Sequence, residues 1–140
     1  MYKDILLPTD GSEEAEEAIN HAKELAEKFD SKIHIIHVVD ITQGVGDPAF
    51  QSRLGEMKDF GEETAEKAAE QIENLDVETH VTVGLPHQEI NEYVEENGID
   101  MVVMGSHGRS GLNRFLLGSV TEKVLRTTSA PVLTVKREED

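Results

Sequence analysis

Three segments of this chain are apolar almost without a break: Ile5-Leu6-Leu7, the stretch KIHIIHVV at 32–39, and Met101-Val102-Val103-Met104. A strand with one wet face alternates apolar and polar residues. A near-continuous run instead marks a strand covered on both faces, as in a parallel sheet with helices on either side. The residues between the runs change to helical spacing. Ala15, Ala18, Ile19, Ala22, Leu25, Ala26 and Phe29 predict a first helix over about 12–29, with Ser12 as N-cap and Glu13 and Glu14 at the positive end of its dipole.

Further along, Leu54, Met57, Gly61, Thr64, Ala65, Ala68, Ile72 and Leu75 predict a long second helix with an acidic outer face. Val77, Thr79, Val81 and Val83 alternate as a third strand. Pro86 opens a third helix carrying Ile90, Tyr93 and Val94, and Gly98 closes it. Residues 99–104 form the fourth strand, 118–126 a last helix with Val120, Val124 and Leu125, and 131–135 the fifth strand. Strands alternating with helices mean a parallel α/β sheet. The chain is read as a single domain, 1–140.

In open sheets of this kind the ligand lies outside the carboxyl ends of the strands, where the winding reverses. The ends in question are Thr9-Asp10, Val39-Asp40 and Gly105. The last is followed by Ser106-His107-Gly108-Arg109-Ser110-Gly111 and then Gly118-Ser119 at the start of a helix. A buried strand, a glycine-rich loop and a helix N-terminus together suit phosphate: glycines admit the anion to the backbone, and unpaired N–H groups face it. Charge points the same way. Residues 101–137 hold Arg109, Arg114, Lys123, Arg126, Lys136 and Arg137 against the single acid Glu122, a net +5 in a chain of −16, which leaves −21 for the rest.

Each candidate residue has a plainer alternative. Asp10 suits a ribose hydroxyl or a divalent ion beside phosphate, or simply caps a turn. Asp40 has a similar position with less support. Ser119, as an N-cap facing phosphate, does both jobs. Arg109 and Arg114 neutralise phosphates or are solvated loop charges, and His107 lies where it would touch the ligand. His34 and His37 fall on opposite faces of one strand and are no metal pair. His21, His80 and His87 read as surface or packing residues. No G-x-x-x-x-G-K-[ST] and no G-x-S-x-G occurs, nor a dinucleotide fingerprint after strand one, and no nucleophile stands beside a base. The site reads as a holder of nucleotide rather than a fast catalyst.

With 13 basic residues against 29 acidic, the chain is not drawn to nucleic acid or anionic membrane. The absence of Cys and of a signal-like or membrane-spanning run implies a cytoplasmic protein without membrane insertion.

The spacing Gly105-x2-Gly108-x9-Gly118-Ser119 resembles the nucleotide-binding signature of the universal stress proteins, in their ATP-binding branch. The opening ILLPTDGSEEAEEAI, the strand IIHVVD and the ending SAPVLTVK resemble that family at the same places, so the likeness spans essentially the whole chain. It implies a three-layer, Rossmann-like sandwich of the adenine nucleotide alpha hydrolase type, with a five-stranded parallel sheet of order 3-2-1-4-5. It further implies a homodimer and bound ATP or another adenine nucleotide, with Mg or Mn. On this resemblance the backbone near Val38 meets adenine, and Pro8, Thr9 and Asp10 lie near ribose and phosphates, Asp10 reaching a nucleotide-bound metal. Gly105, Gly108, Gly118, Ser119 and Val120 cradle the phosphates. Met104, Ser106, His107, Arg109 and Thr121 line the site. Family dimers pair their last strands, and Val132–Val135 is an apolar edge of the type that proteins cover or pair.

Three functions follow as expectations. The first is a regulatory, stress-response protein whose ATP occupancy is read by a protein partner. The second is a slow Mg- or Mn-dependent ATPase or phosphotransferase. The third is a structural dimer without ligand. Intact glycines favour the first over the third, and the missing nucleophile–base pair favours it over the second. The acidity has two readings, adaptation to a salt-rich cytoplasm, where screening shrinks to about 3 Å at 1 M, or an ordinary acidic protein. Melting in rising KCl separates them: a salt-adapted chain gains melting temperature as its self-repulsion is screened, and indifference to KCl removes that reading.

Overall fold

Strand β1 (Asp4–Pro8) lies in the middle of the sheet, and the other elements are arranged around it. The computed structural model describes residues 1–72, 74–106 and 117–136. After β1 come α1 (Glu13–Phe29), β2 (Lys32–Asp40), a 3-10 turn (Ile41–Gly44), α2 (Phe50–Glu70) and β3 (Asp76–Gly84). They are followed by α3 (Pro86–Asn97), β4 (Met101–Gly105), α4 (Ser119–Thr127) and β5 (Val132–Val135). The order in the sheet is β3-β2-β1-β4-β5 with every pairing parallel, the topology that the family resemblance implies.

The unbroken apolar runs are explained by two cores, one on each face. Ile5 and Leu7 of β1 point to the first, with Ala18, Ile19, Ala22 and Ala26 of α1 and Ala65 and Ala68 of α2. Leu6 points to the second, with Ile90, Tyr93 and Val94 of α3 and Val124 of α4. All three residues of β1 have 0% exposure. Each buried aliphatic side chain of this size contributes about 1.5–3 kcal/mol.

Helix ends follow local chemistry. Ser12 caps α1, its hydroxyl accepting from Ala15 N, and Asp30 ends the helix in the left-handed region at φ 54°. Gly98 does the same for α3 at φ 59°. The last helix and last strand are each shifted by one residue from expectation, and two boundaries differ by more. Helix α2 stops at Glu70, so Ile72 and Leu75 pack on the first core from the turn beyond it. Strand β4 begins at Met101, and Ile99 is buried in the connection before it. The periodicity is right in both cases because burial continues past the hydrogen-bonded element.

His34 and His37 do project to opposite faces. His34 is buried on the α3 face, with Nε2 2.8 Å from Asp4 Oδ1 and Nδ1 2.7 Å from the Tyr93 hydroxyl. Burial, then the nearby charges of Glu78 and Asp4, then a hydrogen bond to Glu78 push the Tyr93 phenol up to about 12. His37 faces α2, edge-on to Phe60 with ring centroids 5.9 Å apart.

The seat of α2 depends on Gly61. A Cβ there would lie 2.6 Å from His37 Cδ2 and 3.1 Å from Val81 Cγ1, both on buried or half-buried side chains. Gly55, on the same helix, would meet nothing within 4 Å. Alanine in a helix interior gains about 1 kcal/mol over glycine, while overpacking a core costs about 1–3 kcal/mol. Chemical denaturation should therefore show Gly55→Ala stabilised by up to ~1 kcal/mol and Gly61→Ala destabilised by a similar or larger amount.

Candidate functional site

The winding reverses at β1, which has β2 on one side and β4 on the other. The carboxyl ends of β1 and β4 therefore open the crevice that the sequence pattern predicts. From β1 comes the turn Thr9–Ser12. Thr9 is buried, its N–H donates to Ile36 O at 2.9 Å, and its Oγ1 accepts from Gly11 N at 3.2 Å. Asp10 Oδ1 accepts from Ser12 N at 2.9 Å, which closes an Asx turn and delivers the chain into α1. Gly11 takes φ 83°, a value that glycine adopts without strain. The turn-capping alternative for Asp10 is thus part of its role.

From β4 come Met104, Gly105 and Ser106. Met104 is buried in the second core. Gly105 has a packing reason of its own: a Cβ would lie 2.9 Å from Glu14 Cβ and 3.1 Å from its backbone carbon. Its lack of a side chain lets the first turn of α1 press against the end of β4. Ser106 is 1% exposed, and its hydroxyl donates to Glu14 Oε2 at 3.1 Å. Ser106 N donates to Val135 O at 2.9 Å, and Gly118 N donates to Ser106 O at 2.7 Å. Thr121 is buried, and its Oγ1 donates to Gly105 O at 2.9 Å. These bonds knot the end of β4 to the start of α4 and the end of β5.

Helix α4 is capped by Gly118, not by Ser119, which is its first helical residue. Gly118 has extended geometry (φ −63°, ψ 151°) and no side chain with which to satisfy the first-turn N–H groups. Helix α1 differs, since its first turn holds Glu13, Glu14 and Glu16. Of the two helix starts at the crevice, α4 is the one suited to a phosphate, and its N–H groups fit one without side-chain help. The carboxylate of Asp10 suits a ribose hydroxyl or a nucleotide-bound divalent ion.

Val38 is half-buried and packs its side chain on the second core, which leaves its backbone as the part relevant to a base. Val120 also packs there. Pro8 is the last residue of β1. Asp40 is drawn away: its Oδ1 accepts from Thr42 N at 2.9 Å and from Thr42 Oγ1 at 2.6 Å, capping the 3-10 turn. Arg126 pairs with Glu122 at 2.8 Å. His107, Gly108, Arg109 and Arg114 lie outside the described residues. Among the described residues no group of three or more His, Asp or Glu is placed to hold a metal, and no helix is long and apolar enough to cross a membrane.

Two contributors were not visible in sequence. Glu14 reads there only as a first-turn acid, yet it buttresses Ser106 across 92 positions. His37 reads as a strand residue, yet its Nδ1 lies 2.9 Å from Thr9 O. No local pattern signals either pairing.

Comparison with known proteins agrees with this architecture. The model of the universal stress protein family matches residues 1–136. A universal stress protein of Methanocaldococcus jannaschii, MJ0531, is 41% identical, covering 98% of this chain and 84% of its own. A second from the same organism, MJ0577, is 36% identical over 99% of this chain and 97% of its own, and its solved structure superposes with a TM-score of 0.90. A universal stress protein solved in complex with cAMP is 26% identical, with a TM-score of 0.74 over 96% of this chain and 97% of that one. On the family match and on two relatives of nearly full length, the chain belongs to the universal stress protein family.

Proposed function

We propose that this protein binds an adenine nucleotide, ATP with Mg or Mn, in the crevice between the ends of β1 and β4, and acts as a nucleotide-dependent regulator in the stress response. The observation that carries the reading is the knot at the start of α4. Gly118 is pinned to Ser106 and Thr121 to Gly105, so the first turn of α4, which has no side-chain cap, is tied to the end of β4, and Ser106 there bonds Glu14 in the first turn of α1. A family member in complex with cAMP supports an adenine nucleotide as the class of ligand. The phosphates would lie against Gly118, Ser119 and Val120, with Asp10 across from them.

A holder is favoured over a slow ATPase or phosphotransferase by how the polar side chains are committed. The hydroxyl of Ser106 is bonded to Glu14, that of Thr121 to a carbonyl, and one oxygen of Asp10 to a backbone N–H. These bonds shape the site. The protein is accordingly read as no enzyme, with at most weak hydrolysis of ATP. Its setting is the cytoplasm, and its output is a surface offered to a protein partner not yet identified.

Calorimetry at low and high KCl tests this reading. ATP should bind at one site per chain, more weakly as salt screens the phosphates, and absence of binding at every salt concentration sinks the proposal. Rapid turnover would favour the hydrolase. Gly108→Val should abolish binding while the melting temperature stays close to the parent, because a side chain there fills the phosphate approach predicted from the glycine spacing.

Dimerisation is proposed through Val132–Val135. Strand β5 is an edge strand, paired with β4 on one side, and Leu133 on it is exposed. An unpaired apolar edge is a template for a second strand, and a lysine on it is a recognised block. Sedimentation should show a dimer for the parent chain and a monomer for Leu133→Lys, and equal masses for both would place the interface elsewhere.

A further inference from the structure

We propose that His37 is a positioning residue for the nucleotide-facing turn, an inference that rests on the crevice proposed above. The Thr9 carbonyl can only accept, so the 2.9 Å contact makes Nδ1 of His37 the protonated ring nitrogen and the donor. Thr9 is thus held on both its polar backbone groups by consecutive residues of β2, its N–H by Ile36 O and its carbonyl by His37. A peptide group is planar and trans. Fixing the Thr9 carbonyl therefore also fixes the N–H of Asp10, which points the opposite way. The orientation of the turn that presents the Asp10 carboxylate is set from β2, by a side chain that does not itself need to reach the ligand.

The imidazole is held in its turn. It is buried, lies edge-on to Phe60, and fills the space over Gly61 where a Cβ would come within 2.6 Å. Gly11 belongs to the same contact, since a Cβ on it would lie 3.6 Å from Thr64 and 3.8 Å from Phe60. Helix α2 therefore presses on the histidine that orients the turn, and it lies within one side chain's reach of the turn itself at Gly11. A shift of α2 would reach Asp10 through the His37 ring, and nucleotide held by Asp10 would stiffen the seat of α2.

Two substitutions separate orientation from packing. His37→Phe keeps a ring against Phe60 and Gly61 but has no donor, whereas His37→Asn keeps an amide donor near the Nδ1 position. In His37→Phe, amide exchange at Asp10, Gly11 and Ser12 of the nucleotide-free protein should quicken about tenfold, and ATP should bind about tenfold more weakly, the scale of one lost hydrogen bond. His37→Asn should recover most of both. The inference is overturned if His37→Phe leaves both readouts at parent values, or if His37→Asn is as impaired as His37→Phe. Uniform quickening of exchange along β1 and α1 would also overturn it, as the mark of a packing role alone. Nitrogen NMR on the parent protein adds a readout that needs no variant: the Nδ1–H form with coupling to the Thr9 carbonyl is expected, and the Nε2–H form refutes the proposal. Should the parent chain fail to bind ATP, the function proposal falls, while exchange and tautomer still decide the role of His37.

Discussion

Burial of β1 on both faces is the constraint from which the rest follows. Ile5 and Leu7 enter one core and Leu6 the other, so the strand must have helices above and below and strands to either side. Here the chain winds outward from β1 in both directions, to β2 and β3 on one side and to β4 and β5 on the other, which puts the reversal at β1. The crevice is therefore a consequence of how the core is covered. It requires no residue that the fold does not already use.

Close approach between layers shapes the site. Gly105 lets α1 touch the end of β4, and Gly61 lets α2 touch β2 through His37. The close approach at Gly105 brings the first turn of α1 against the end of β4, to which the start of α4 is tied. The hydrogen bonds made there are long-range in sequence and short in space. Ser106 meets Glu14, Val135 and Gly118, and Thr121 meets Gly105. Each replaces a bond to water, so each adds only about 1 kcal/mol. Together they hold the backbone donors of α4 in a single arrangement, the preorganisation that the proposed nucleotide site would use.

Charge divides the molecule in the same manner. Helices α1 and α2 hold 12 acidic residues against 5 basic ones, while residues 106–137 hold 6 basic residues against the single acid Glu122. Three glutamates occupy the first turn of α1 and one that of α4, so two helix starts at one crevice differ in what they accept. The macrodipole of α1 is answered by three carboxylates of its own first turn, and that of α4 by one, Glu122.

The sequence alone determined the class of fold, because apolar runs and helical spacing are local signals that burial enforces. The buried residues Ile5, Leu6 and Leu7 of the first strand, the last strand to within one residue, the caps at Ser12 and Gly98, and the placing of His34 and His37 on opposite faces were all readable. The glycine spacing and the basic segment are likewise local signals, and the proposed nucleotide site rests on them. What the tertiary structure decided is what each site residue is for. Gly105 is a glycine because Glu14 lies against it, Ser119 yields the cap to Gly118, Asp40 turns to Thr42, and His37 reaches Thr9. Apart from the Ser119–Gly118 exchange and the short turn at Asp40, these partners are far apart along the chain. No periodicity records a contact between residues 14 and 106, or between 9 and 37. Such pairs exist only after two strands and two helices have been packed together, since packing is what brings donor and acceptor within 3 Å.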